Sequence, residues 1–207
     1  VLRPHPPRAS LIAEGSTPGT GPRREGWPST GGGSLPDVTI HSSHPFADPP
    51  SARDAVRAFR GRLASAVTLW TAMGERRPAG LTVSSLMVAN GTPARVLALI
   101  DPLSDLADAL ASSGRAAITV LEQGQERLAE VFGGNAPAPG GAFRQAAFSD
   151  TEWGPVPTGA VTWAGVRLES AAEVGWSQLV TCVVEHVVTG EGGAPLVHHR
   201  GRYPRLG

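Results

Sequence analysis

The chain has 207 residues, of which 41% are hydrophobic and 17% are charged, and its formal net charge is zero. This length fits one globular domain with an additional segment, since a domain typically has about 100–200 residues. The basic residues are all arginine and form no cluster beyond pairs, which argues against a nucleic-acid-binding surface. No apolar run approaches the roughly 18–20 residues that cross a bilayer, and no signal-peptide core is present, so we expect a cytoplasmic protein without a membrane segment.

The single cysteine, Cys182, excludes an intramolecular disulfide and a cysteine-based zinc site, and it suits a reducing compartment. Its apolar surroundings, LVTCVVEHVV, predict an inert buried thiol. His186 lies in the same stretch and is interpreted as an ordinary core or surface histidine. The sequence therefore predicts no metal site.

The first fifty residues differ in composition from the rest of the chain. The stretch STPGTGPRREGWPSTGGGSLPD offers almost nothing to bury, and such a segment cannot offset the entropy of ordering. We expect residues 1–50 to form a disordered arm that the chemistry does not need, with Leu35–Ile40 either a short strand or loose. Residues 51–207 are predicted to form the folded domain.

The domain opens with a predicted helix and three strands. Ser51 is a suitable N-cap, and an apolar stripe follows at helical spacing, formed by Ala52, Val56, Phe59 and Leu63. Alternating and apolar patterns predict strands over Ala66–Ala72, Ala79–Asn90 and Ala94–Asp101.

The second half combines two short helices with further strands. Ser104 can cap a helix that Gly114 ends in the left-handed conformation, and QERLAEVFGG predicts another. AAITVL is a predicted strand, and residues 135–159 are irregular, anchored by Phe143, Phe148 and Trp153. Three β stretches follow, AVTWAGVRLESAAEV, SQLVTCVVEHVVTG and APLVHHRGRY. Because no long crossover helices separate the strands, we expect a mainly β, closed or nearly closed antiparallel barrel.

Hydroxyl groups concentrate in the segment GLTVSS. Strand alternation would place Thr82 and Ser84 on one face and Val83 and Ser85 on the other, and Gly80 would let a ligand approach the backbone closely. Two interpretations stand: donors that line a ligand slot, or hydroxyls of a buried strand that bond neighbouring carbonyls. The residues alone favour the second.

Five ordered pieces carry a resemblance to a known family. They are FRGRLASAVTLWTA, GLTVSS, VLALIDPLSDLADAL, RAAITVLEQGQERLAEVFGG and PLVHHRGRYPRL, which run from Phe59 to Leu206. In this order they resemble the flavin reductase-like family, which has an FMN-binding split β-barrel with short peripheral helices. The resemblance implies an NAD(P)H-dependent flavin reductase that supplies reduced FMN (or FAD) to a monooxygenase partner, with NADH or NADPH as co-substrate. It also implies a homodimer.

The resemblance assigns residues to two sides of a cofactor site. Ser104 would either bind a phosphate at a helix N-terminus or serve as an ordinary N-cap. The last strand would either border the approach of the nicotinamide or form a solvated edge of the sheet. Adjacent histidines on opposite faces of that strand would not share a zinc ion. The implied flavin-side residues are Leu81, Thr82, Val83, Ser84, Ser85, Asp101, Pro102, Ser104, Thr119 and Phe132, and the nicotinamide-side residues are His198, His199, Arg200 and Tyr203.

The chain departs from the family pattern at three places, one of which is NGTPAR in place of the usual Pro-Pro turn before the third strand. Thr119 stands where relatives commonly have Asn, and Gly175-Trp176-Ser177-Gln178 stands where many relatives have an Asp-His pair. The last of these departures keeps an alternative open, a flavin- or deazaflavin-binding module that does not reduce its ligand. A hydrolase is the third interpretation, but no Gly-x-Ser-x-Gly turn occurs.

Overall fold

A computed structural model describes residues 50–206, with side chains from residue 55 onward. The predicted N-terminal arm, with its Leu35–Ile40 segment, lies outside these residues except for Pro50, which opens the first helix. No helix in the described range has the length and apolar character needed to cross a bilayer.

The described residues form three helices, one short 3₁₀ turn and eleven strands. The helices are α1 (Pro50–Arg62), α2 (Asp105–Ser113) and α3 (Glu126–Phe132), and the 3₁₀ turn is Ala142–Arg144. The strands are β1 (Ser65–Ala66), β2 (Thr68–Met73), β3 (Pro78–Val83), β4 (Leu86–Ala89), β5 (Arg95–Ile100), β6 (Arg115–Val120), β7 (Phe148–Ser149), β8 (Val156–Pro157), β9 (Trp163–Val174), β10 (Ser177–Val188) and β11 (Val197–His198).

Seven strands form one curled antiparallel sheet in the order β3-β2-β6-β9-β10-β5-β4. Its two edge strands, β3 and β4, follow each other directly in the chain and are joined by Ser84 and Ser85. The predicted single strand Ala79–Asn90 is therefore wrong, because the chain leaves its partner β2 at this point and pairs with β5. The mainly β, nearly closed barrel with short peripheral helices is confirmed.

The interior is filled from the sheet and from α2. Trp70, Leu106, Val166 and Val180 are fully buried in one cluster. The Trp70 indole N–H donates to the Thr68 hydroxyl at 3.1 Å, and that hydroxyl donates to the carbonyl of Val83 at 2.6 Å. The buried polar groups of this strand pair are thus bonded to one another, as a low-dielectric interior requires.

Cys182 is fully buried, as predicted. Burial, with a smaller contribution from the negative charge of Glu169, raises the pKa of its thiol to about 12. The thiol is therefore protonated at neutral pH and is a poor nucleophile.

Helix α2 forms as its end signals predict. The Ser104 side chain accepts a hydrogen bond from the Ala107 N–H, and Gly114 adopts a φ of 69° while its N–H donates to the carbonyl of Leu110. These are the bonds that satisfy the unpaired groups of a helix end.

Helix α1 differs from its prediction. Val56, Phe59 and Leu63 are 69%, 67% and 53% exposed, so the expected apolar stripe is not buried, and the helix begins one residue before the predicted cap Ser51. The C-terminal end of α1 is fixed by a backbone hydrogen bond instead of by apolar burial, because the N–H of Arg200 donates to the carbonyl of Gly61 at 3.1 Å.

The C-terminal stretch is also shorter as a strand than predicted. Val197–His198 pairs with Ser65–Ala66 of β1, and Pro195 forms an isolated bridge with Glu122. Arg200 then turns the chain with a φ of 54°. The predicted alternation of His198, His199 and Arg200 across a strand is therefore wrong.

The three predicted anchors of the irregular region are confirmed as packing residues. Phe143 and Phe148 contact each other and Phe132 at ring-centroid distances of 5.0–6.0 Å. Trp153 stacks on the half-buried His186 at 4.9 Å and donates its indole N–H to Glu185. That bond, followed by the bond from Arg167, holds the pKa of the Glu185 carboxyl below its ordinary value.

Gly165 lies directly under the Trp153 ring, and an added Cβ would overlap it. We predict that Gly165→Ala lowers the free energy of unfolding by about 1–3 kcal/mol, since the ring must leave its position. Gly61→Ala is the matched control, because open space surrounds Gly61 and alanine favours a helix by about 0.5–1 kcal/mol. Urea denaturation measures both variants, and equal stability of Gly165→Ala and the wild type would contradict this packing.

Candidate functional site

A cleft of about 510 Å³ opens where β3 ends. Helix α1, the end of β5 and the tip of the β9–β10 hairpin form its other walls. Its lining residues are Arg60, Leu81, Thr82, Val83, Ser84, Ser85, Leu99, Ile100, Asp101, Trp176 and Ser177. The cleft therefore brings together six of the ten predicted flavin-side residues, from two separate parts of the chain.

The three hydroxyls of this segment have different surroundings. The Thr82 hydroxyl donates to the carbonyl of Ala129 at 2.7 Å and the Ser85 hydroxyl to that of Leu99 at 2.6 Å. The Ser84 hydroxyl has no hydrogen-bond partner among residues 50–206, and the same holds for the backbone N–H groups of Ser84 and Ser85. Both interpretations of GLTVSS thus apply, each to different groups: two hydroxyls bond carbonyls, while one hydroxyl and two amides remain available.

Gly80 has a packing role in the described structure. A Cβ at this position would come within 2.7 Å of the Phe132 ring, so the glycine makes room for that ring. Phe132 itself is 4% exposed and borders a separate crevice of about 430 Å³.

The predicted turn Asp101–Ser104 reaches the cleft only at its first residue. Asp101 lines the cleft and accepts the N–H of Leu103 at 2.9 Å. Ser104 is engaged as the cap of α2, and its hydroxyl donates to the Asp101 carbonyl at 2.7 Å. Neither Pro102 nor Ser104 lines the cleft, so the N-cap alternative describes the geometry of Ser104.

Thr119 lies inside the sheet. It is 2% exposed and pairs with Leu69 on one side and Trp163 on the other. It does not line the cleft.

Two of the four nicotinamide-side residues lie close to the cleft. His198 and Tyr203 border a crevice of about 180 Å³ that shares Thr82 and Ser84 with the cleft, whereas His199 and Arg200 border neither space. The Tyr203 hydroxyl donates to the Glu130 carboxylate at 2.5 Å. Burial first, and then this bond, raise the pKa of the phenol well above its ordinary value, so Tyr203 is a fixed donor and not a titrating group.

Sequence reasoning missed five of the lining residues: Arg60, Leu99, Ile100, Trp176 and Ser177. Arg60 lies off the apolar stripe of the predicted first helix. The lack of lysine left either an arginine or the hydroxyls and backbone N–H groups alone to balance a phosphate. Trp176 follows Gly175 in a two-residue hairpin loop, where a large aromatic residue is exposed to solvent instead of packed. This loop position was one signal for a surface role, and the place of Gly175–Gln178, where many relatives have an Asp-His pair, was another.

The lining fits a flat, anionic nucleotide such as FMN. Its volume lies within the range of about 300–1,000 Å³ that small-molecule sites occupy. The Ser84 and Ser85 amides and the Ser84 hydroxyl, which have no partner among residues 50–206, are donors. Leu81 and Leu99 are the apolar lining side chains with accessible surface, and Arg60 is a cation suited to a phosphate. Within residues 50–206 no three His, Cys, Asp or Glu side chains are grouped to hold a metal ion.

The sequence matches the family described as "Flavin reductase like domain" over residues 60–207. The FMN reductase (NADH) RutF of Methylorubrum extorquens is 31% identical over 158 residues, which are 73% of this chain and 74% of that protein. The reductase component of 4-hydroxyphenylacetate 3-monooxygenase from Thermus thermophilus is 28% identical over 154 residues, 74% of this chain and 97% of that protein.

Solved structures share the fold. The NADH:FAD oxidoreductase SgcE6 of Streptomyces globisporus superposes with a TM-score of 0.68 at 23% identity, over 77% of this chain and 96% of that chain. Flavin reductase PheA2 gives a TM-score of 0.67 at 23% identity, over 74% of this chain and 97% of that chain. Sequence match and architecture agree, and the chain belongs to the flavin reductase-like domain family.

Proposed function

We propose that the protein is an NAD(P)H-dependent flavin reductase whose flavin, FMN or FAD, binds in the cleft beside Ser84 and Ser85. One observation carries the proposal: two amides and a hydroxyl without a partner among residues 50–206, together with a cation, line a cleft of nucleotide size in a chain of this family. When bound, a flavin supplies a ring that accepts hydride from a nicotinamide. The relatives named as NADH-dependent FMN reductases support NADH as the donor.

The residues of the chain act by binding and orientation. The Ser84 and Ser85 amides would hold the polar edge of the ring, Leu81 and Leu99 would give it apolar contacts, and Arg60 would balance the phosphate charge. Holding two reactants in contact supplies much of the catalysis that hydride transfer needs. No side chain has to form a covalent bond or transfer a proton, which is consistent with the absence of a nucleophile–base pair among the lining residues.

A homodimer is part of the proposal. On the outer side of the sheet, Met87 lies opposite Leu97, and Leu99 lies opposite Leu179. Met87 and Leu99 are 67% and 40% exposed, and Leu99 also lines the cleft, so a second copy on this surface would border the flavin. Burial of exposed apolar surface favours such pairing.

A flavin-dependent monooxygenase is the proposed consumer of the reduced flavin. The support is the Thermus thermophilus relative, the reductase component of 4-hydroxyphenylacetate 3-monooxygenase. A cytoplasmic location belongs to the same proposal, since the buried Cys182 is a free thiol, as in a reducing compartment.

The first test is turnover. Purified protein mixed with FMN and NADH, and separately with NADPH, FAD and a deazaflavin, is expected to oxidise NADH in the presence of FMN, measured as loss of absorbance at the nicotinamide band. Flavin binding without NADH or NADPH oxidation would favour the alternative, a non-reducing module, to which the residues at Trp176 and Ser177 lend some support. No binding of any of the three ligands would refute the proposal.

The second test concerns the phosphate. We predict that Arg60→Ala raises the dissociation constant of FMN about tenfold, roughly the 1.5 kcal/mol of one charged hydrogen bond, and leaves that of riboflavin unchanged. Riboflavin has the same ring system without the phosphate. Arg57→Ala is the matched control, since Arg57 is exposed on the same helix and does not line the cleft. Isothermal calorimetry gives the constants, and an equal loss for both ligands would contradict a phosphate contact.

The third test distinguishes the structural role of the Thr82 hydroxyl from the binding role of the Ser84 hydroxyl. Thr82→Val removes a bond to the Ala129 carbonyl and should lower the free energy of unfolding by about 1 kcal/mol. Ser84→Ala removes a hydroxyl with no partner within residues 50–206, so stability should not change while the FMN dissociation constant rises several-fold. Urea denaturation and calorimetry on both variants provide the comparison. A stability loss in Ser84→Ala, with unchanged FMN binding, would show the assignment to be reversed.

A further inference from the structure

Trp176 has an unusual position for a large apolar side chain. It is the second residue of the two-residue loop between β9 and β10, and its side chain is 61% exposed. Gly175 precedes it with a φ of 58°, the conformation that glycine adopts readily at the first position of a tight hairpin loop. The strands pair up to Val174 and Ser177, so the loop is anchored at both ends.

The hairpin tip is held against the cleft by the sheet. Gln178 of β10 pairs with Ile100 of β5, and Ile100 is followed by Asp101. Trp176, Ser177, Ile100 and Asp101 therefore line one side of the cleft. Among the lining residues Trp176 is the one aromatic side chain.

An indole at this place has a clear physical use. Its flat face gains from contact with another planar ring, in an offset stack, and its exposed surface gains from being covered. Unlike a histidine, it does not titrate at any physiological pH, so the contact is independent of protonation. Neighbouring groups add polar contacts, since Ser177 carries a hydroxyl and the Ser84 and Ser85 amides border the same space.

We propose that Trp176 is the stacking residue of the cleft and that its indole covers one face of the bound isoalloxazine ring. This inference rests on the flavin binding proposed above. Trp176 is a positioning residue here: it holds the ring flat and limits which face a nicotinamide reaches. It also sets preference for large planar rings over small ones.

The test uses binding without turnover. FMN is titrated into the full-length protein in the absence of nicotinamide, with tryptophan emission and calorimetry as readouts. Trp176→Ala is expected to raise the FMN dissociation constant about tenfold, the effect typical of removing one aromatic stacking partner. Trp176→Phe keeps a flat ring and is expected to restore binding to within about threefold. It should also remove the largest part of the emission quenching that FMN causes in the wild type.

Two controls isolate the contact. Trp163→Phe removes another indole that lies outside the cleft, and Val174→Ala alters an exposed residue of the same hairpin that does not line it. Both are expected to bind FMN as the wild type does. An FMN dissociation constant unchanged in Trp176→Ala, or quenching unchanged in Trp176→Phe, would overturn the inference.

Two further outcomes are distinguishable. If Trp176→Ala weakens the affinity for NAD⁺ and not for FMN, the indole contacts the nicotinamide and the inference is wrong. If the variant sediments as a smaller species and higher protein concentration restores FMN binding, Trp176 serves an interface between copies, which also overturns it. A wild type that binds neither FMN nor FAD would instead refute the proposed function itself.

Discussion

The architecture depends on a change of pairing partner within one continuous stretch of chain. β3 bonds to β2 at one edge of the sheet, and two residues later β4 bonds to β5 at the other edge. This short join curls the sheet, because its edges cannot separate further than Ser84 and Ser85 allow. Within residues 50–206 the join also leaves the Ser84 and Ser85 amides without a hydrogen-bond partner, and these amides are the backbone donors of the cleft. The same two-residue join therefore brings the sheet edges together and supplies the donors of the cleft.

The hydrogen bonds around the join show how the protein stabilises it without closing it. Thr82 ties the end of β3 to helix α3 through the Ala129 carbonyl, and Ser85 ties the start of β4 to β5 through the Leu99 carbonyl. Both residues are only half-buried, and each hydroxyl adds a side-chain bond that fixes one end of the join. Ser84 lies between them with its hydroxyl unused by residues 50–206. Thr82 and Ser85 are thus fixed while Ser84 between them can bind a ligand, and such an arrangement preorganises a binding site.

Sequence patterns correctly predicted the features that are determined by residues close together in the chain. The end signals of α2, Ser104 and Gly114, behaved as expected, and the antiparallel, mainly β architecture followed from the missing crossover helices. The break within Ala79–Asn90 could not be predicted from that stretch alone, since the change of pairing from β2 to β5 depends on strands elsewhere in the chain. For the same reason Trp176 and Arg60 were not assigned to the cleft: a hairpin tip and a helix reach it through tertiary packing alone. The family resemblance supplied the flavin, which residue patterns alone did not favour.

The burial of Cys182 protects this side chain from oxidation. Reduced flavins released in air react with dioxygen and generate hydrogen peroxide, so an enzyme with the proposed activity works close to an oxidant of its own making. Peroxide attacks thiolates, and a thiol with a pKa of about 12, shielded from solvent, resists conversion to sulfenic acid. Met73, 46% exposed at the end of β2, lacks this shelter. Oxidative damage would therefore begin at the periphery and spare the core.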